Sequence, residues 1–112
     1  MKVSFKSIAI VTWLAGSAMT VVAQQTDTYD YWQFNRNMIR YGQQAIFMCN
    51  GLFTSERTLE QVFNQELKFL PDPVGTADDG DYVVDRDLLT VAIGAGGDTP
   101  VMRAAYREGV GC

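Results

Sequence analysis

With 112 residues, 9 basic and 13 acidic side chains, the chain has room for one small acidic domain at most. It contains no histidine, so the commonest near-neutral acid–base group and metal ligand is missing. Its two cysteines cannot complete a tetrahedral zinc shell unaided, and no metal or other cofactor is expected.

The first 23 residues have the layout of a secretory signal: Lys2 and Lys6, an apolar stretch from Ile8 to Leu14, then small residues through Ala15, Gly16, Ser17 and Ala18. Cleavage is expected after Val21-Val22-Ala23, leaving Gln24 first and residues 24–112 as the mature region. The alternative is an uncleaved anchor, but the run from Ile8 to Ala23 falls short of the roughly 20 apolar residues a bilayer span needs. A secreted or periplasmic location follows, with membrane contact only transient, through the signal. Without Lys2 and Lys6 the balance is 7 basic to 13 acidic side chains, which argues against nucleic acid or an anionic membrane surface as a partner.

Residues 24–29 are polar, and Asp30 followed by Gln33 has the spacing of a capping box at the start of a long helix. The pattern runs from about Tyr31 to Asn50. Met38, Ala45, Cys49 and Leu52, with Ile39, Ile46 and Phe53 beside them, have the three-to-four spacing of a core-facing side. Gly51 is the expected stop, since glycine takes the left-handed C′ conformation at no steric cost. A second capping box, Thr58 with Gln61, opens a second helix with Leu59, Val62, Phe63 and Leu67 on one face. Glu60, Gln61, Asn64, Gln65 and Lys68 then face solvent. Pro71 and Pro73 end it, and 72–81 reads as a loop rich in Gly, Pro and Asp.

Beyond the loop the period changes to two. Leu89, Val91 and Ile93 share one side of a strand, and Leu88, Thr90 and Ala92 the other. Gly94 to Asp98 is turn chemistry. The partner strand, Val101 to Arg107, alternates Met102, Ala104 and Tyr106 with Val101, Arg103, Ala105 and Arg107. An antiparallel hairpin over 88–107 is therefore predicted, with Tyr82 to Val84 as a candidate third strand. The fold class is α+β: two helices followed by a small antiparallel hairpin or three-stranded sheet.

An exported chain with an even cysteine count usually pairs its thiols, because compartments outside the cytoplasm are oxidising. Cys49 with Cys112 is then the one internal bridge available; two free thiols, or a bond to another chain, are the alternatives. Such a bridge would stabilise the fold by roughly 4 kcal/mol in the chain-entropy account.

Other candidate chemistry is weaker. Asp78, Asp79, Gly80 and Asp81, with Asp85 and Asp87 beyond, invite a calcium-loop reading, but the register is wrong for an EF-hand and a solvated loop is expected. Gly94-Ala95-Gly96-Gly97-Asp98 lacks the ending of a P-loop and leads into a strand, as a hairpin turn does. No Ser-x-x-Lys or Gly-x-Ser-x-Gly is present, and neither Ser7 nor Ser55 has a lysine three residues on. Glu60 and Glu66 fall on helix positions that face solvent, and Arg103 with Arg107 reads as rim charge before it reads as an anion site.

Four blocks carry a resemblance: Cys49-Asn50-Gly51-Leu52-Phe53-Thr54-Ser55-Glu56-Arg57, Glu66-Leu67, Val84-Asp85-Arg86, and Ala105-Tyr106-Arg107-Glu108-Gly109-Val110-Gly111-Cys112. Their order resembles the amino-terminal region of exported serine hydrolases related to β-lactamases, the class C-like branch with the 6-aminohexanoate-dimer hydrolase relatives. The resemblance covers residues 38–112. It implies a non-catalytic lead-in whose partner is the remainder of the hydrolase domain, with amide or ester hydrolysis performed by a Ser-x-x-Lys nucleophile beyond residue 112. No catalytic residue carries over to this chain. The expectation is a fragment or truncated product of such a hydrolase; the alternative is a complete small secreted module, stapled by its disulfide, that binds through aromatics near Tyr29, Tyr31 and Trp32.

Overall fold

The first helix begins where Asp30 supplies a cap: its Oδ1 accepts the Gln33 backbone N–H at 2.9 Å. In the computed structural model, which describes residues 30–94 and 100–112, helix α1 runs Tyr31–Cys49. The expected capping box is half made. The Gln33 side chain turns along the helix, to Asn37 and Arg36, instead of back to Asp30. The signal assigned to residues 1–23, Tyr29, and most of the Gly94–Asp98 turn lie outside the described residues. No helix among the described residues is long and apolar enough to cross a membrane.

Gly51 does not stop the helix. The chain widens into a π-helical turn, Asn50–Thr54, in which the Ser55 N–H reaches the Asn50 carbonyl five residues back at 2.9 Å. It leaves the helix only at Glu56, in the left-handed conformation with φ 51°. Gly51 has a different role: a Cβ there would lie 2.7 Å from Cγ2 of Val62, so the missing side chain lets the second helix pack against the first.

Helix α2, Leu59–Gln61, opens with the full capping box. Gln61 N–H donates to Thr58 Oγ1 at 3.2 Å while Gln61 Oε1 accepts the Thr58 N–H at 3.0 Å. It too relaxes into a π-helical turn, Val62–Glu66. Val62 and Leu67 are fully buried, Leu59 and Phe63 half-buried, and the five positions expected in solvent are exposed. The helical segment is over before Pro71.

Strands β1 (Tyr82–Asp85), β2 (Thr90–Ile93) and β3 (Met102–Ala105) form an antiparallel sheet in the order β1-β2-β3, so the candidate third strand is real. The register aligns Tyr82, Ile93 and Met102 in one row and Val84, Val91 and Ala104 in another. These rows share the face on which α1 lies across β2 and β3. Leu88 and Leu89 belong to the turn between β1 and β2, not to the strand; Leu89 has φ 54°, which no strand residue adopts. The core unites Ala45, Met48, Cys49 and Leu52 with Val62 and Leu67 and with Val91, Ile93 and Ala104. Cys49 and Cys112 are joined in a disulfide whose Cα atoms lie 6.0 Å apart, which gives the α+β fold its one crosslink among the described residues.

Two expected core residues point outward. Ile39 and Ile46 are exposed, because the sheet takes the side of α1 that carries Tyr41, Ala45 and Met48.

Candidate functional site

The first, second and last of the four sequence blocks meet at the C-terminal end of α1. Cys49 is fully buried there, and Cys112 arrives from the end of β3 after a narrow turn in which the Arg107 N–H donates to the Gly111 carbonyl at 2.9 Å. Asn50, the next residue along the chain, holds the junction. Its Oδ1 accepts both the Thr54 hydroxyl, at 3.1 Å, and the Cys112 N–H, at 3.2 Å. The π-helical turn and Cys112 are thus tied to one amide oxygen beside the disulfide.

Arg57 and Glu66 close the other side of this end. Their ion pair measures 2.7 Å, and Arg57 also donates to Gln65 Oε1 at 2.7 Å. Glu66 is therefore half-buried and paired, whereas Glu60 stands in solvent as expected. Asp85 acts on its own neighbours. Its Oδ1 accepts the N–H groups of Asp87 and Leu88 at 3.0 and 2.8 Å, capping the turn between β1 and β2.

The acidic loop is more ordered than its composition implies. Gln44, buried at 2 % exposure on α1, grips both backbone polar groups of Val74 at the loop's start. Gly75 (φ 79°) then crosses Gly80 so closely that a Cβ on Gly75 would sit 2.7 Å from the Gly80 Cα. The Tyr82 hydroxyl donates to the Thr76 carbonyl at 2.6 Å across the neck. Burial raises the Tyr82 phenol above its ordinary range, and the carboxylates of Asp79 and Asp78 push it the same way. The Asp79 carboxylate turns to its own neighbour, accepting the Gly80 N–H at 2.8 Å. Among the described residues no three acidic or cysteine side chains are grouped to hold a metal ion.

On the sheet face opposite α1, Val83, Asp85, Leu88, Thr90, Ala92 and Arg103 line a hollow of about 180 Å³. Arg103 lies in this hollow, while the Arg107 guanidinium donates to the Tyr106 carbonyl at 3.0 Å. The two arginines thus have separate surroundings and share no partner among the described residues.

The Thr54 hydroxyl donates to an amide oxygen and the Thr76 hydroxyl to a peptide carbonyl, and neither acceptor can take up a proton as a general base does. Sequence reasoning assigns no role to Gln44 or to the Asn50 amide. Gln44 leaves only a faint signal, a polar residue beside Ala45 on the core side, and Asn50 only its place next to Cys49. No protein-family model matches the chain, and neither a curated protein nor a solved structure resembles it significantly.

Proposed function

We propose that this chain is the amino-terminal, non-catalytic part of an exported serine hydrolase related to β-lactamases, with amide or ester hydrolysis carried out through an acyl-serine by residues beyond it. The observation that carries the reading is the Cys49–Cys112 bond, which joins the first and last of the four resembling blocks. The inner blocks fit the same role. Arg57 of the first block pairs with Glu66 of the second, and Asp85 of the third caps the turn that positions β2. A disulfide of this kind also suits a signal at residues 1–23 cleaved after Ala23, and a secreted or periplasmic location.

Labelling with a serine-reactive fluorophosphonate tests the proposal. The product of the complete gene should be labelled at a serine of a Ser-x-x-Lys motif downstream of Cys112, and the isolated chain should not. A gene that ends at the Cys112 codon, or Ser55-dependent turnover of a chromogenic ester by the isolated chain, would overturn it.

A second reading, a complete secreted binding module, draws on the exposure of Tyr31 and Trp32 at the start of α1. It requires the exported protein to end at Cys112 and to melt cooperatively as a monomer.

A further inference from the structure

The solvent side of α1 carries a pattern that the core does not use. Trp32, Ile39 and Ile46 stand seven residues apart and are 73 %, 62 % and 46 % exposed. Seven residues fall about 20° short of two helical turns, so the three side chains form a narrow stripe about 21 Å long. Arg36 lies beside the stripe, about 40° around the helix from Trp32, and Arg40 about 40° further round on the same flank. They are the only charged residues of α1, which has no acid to neutralise them. Arg36 donates to Gln33, and Arg40 has no hydrogen bond or ion pair among the described residues. In a chain with 13 acidic side chains, this face is apolar and cationic.

We propose that the solvent face of α1 is a docking surface for a partner helix that carries an apolar seven-residue repeat flanked by carboxylates. The repeat sets the shape, because a stripe drifting slowly around a helix matches another helix lying along it. The charge sets the chemistry. Two arginines without a counter-ion among the described residues favour carboxylates at the edges of the contact and disfavour a cationic partner.

Other occupants fit less well. A second copy packed antiparallel through Ile39 would bring Arg36 and Arg40 against their own equivalents, a like-charge contact. A lipid surface calls for an apolar sector of about 100° or more, whereas this stripe spans about 40°, and the net acidity of the chain opposes an anionic bilayer. The inference stands apart from the hydrolase reading, since it holds whether the helix belongs to the same polypeptide or to another.

The test uses the full exported chain and two fluorescein-labelled helical peptides of about 20 residues. Both share one leucine seam; one is flanked by glutamates and the other by lysines. Long-range attraction to an acidic protein favours the lysine peptide, so the predicted preference runs against net charge. Anisotropy at low ionic strength should show the glutamate peptide binding about tenfold or more tightly than the lysine peptide. Arg36→Gln with Arg40→Gln should abolish that preference, and Ile39→Ser should weaken both peptides about tenfold. All three positions are exposed, and far-UV circular dichroism checks that the variants remain folded. Equal binding of the two peptides, or binding indifferent to Ile39→Ser, would overturn the proposal. So would Ile39-dependent dimerisation in sedimentation, or Ile39-dependent capture by phosphatidylcholine–phosphatidylglycerol vesicles in place of the peptides.

Discussion

The side-chain amide of Gln44 completes both backbone hydrogen bonds of Val74, with Nε2 donating to the carbonyl at 2.8 Å and Oε1 accepting the N–H at 2.7 Å. The two residues are 30 positions apart, so this pairing fixes the acidic loop to the middle of α1.

Gln44→Leu keeps the volume and removes both partners, leaving a part-buried N–H and C=O unsatisfied. Such groups cost about 1–3 kcal/mol each. Urea denaturation should therefore give a loss of about 3 kcal/mol. Hydrogen exchange of the Val74 amide should accelerate more than that of Ile93 in the core.

Replacing both cysteines by serine should lower stability by about 4 kcal/mol, and the melting temperature by about 20 °C. The sequence separation of 63 between Cys49 and Cys112 sets that figure, because the crosslink denies the unfolded chain most of its freedom. Differential scanning calorimetry of the double variant checks it, and reductant added to the wild type should reproduce the loss.

Gly51→Ala places a methyl group against Val62, where the separation of 2.7 Å leaves no room. The expected loss is about 1–3 kcal/mol. Combining it with Val62→Ala should restore part of that loss, so that the two changes together destabilise less than the sum of each alone. A double-mutant cycle by chemical denaturation measures the coupling.

Tyr82 introduces a pH dependence at the alkaline end. Its phenol is raised by burial and by Asp79 and Asp78, so the folded state favours the protonated form. The resulting stability is complete below the unfolded value of about 10 and is lost as pH rises through the folded one. Tyr82→Phe should cost about 1 kcal/mol at neutral pH, for the lost bond to Thr76. The difference between wild type and variant should shrink above about pH 10, as followed by melting temperature across that range.

Features that depend on neighbours in the chain were the legible ones. The Thr58–Gln61 box is a contact between residues three apart, and it forms in full. The alternation groups Val91 with Ile93 and Ala104 with Met102, at every second position along each strand, and the fold turns those sides inward. The pairing of the two cysteines was legible too, because the count left one internal choice. What escaped was set by distant partners. Ile39 and Ile46 share apolar character with Met38 and Ala45, and only the placement of the sheet decides which of them is covered. Gly51 resembled a helix stop until Val62 came to rest on it. The roles of Gln44 and Asn50 depend on Val74 and Cys112, neither of which is near in sequence.

The bond from Cys49 to Cys112 turns everything between them into a covalent ring that holds α2 and all three strands, while α1 projects from it as a tail. A protease that cuts once inside the ring, in the acidic loop for example, linearises it without releasing a fragment. The nicked protein should migrate as a single species on a non-reducing gel and separate into two only after reduction. A cut between Ile46 and Cys49 behaves differently, severing the peptide link that joins the Trp32–Ile39–Ile46 stripe to the ring.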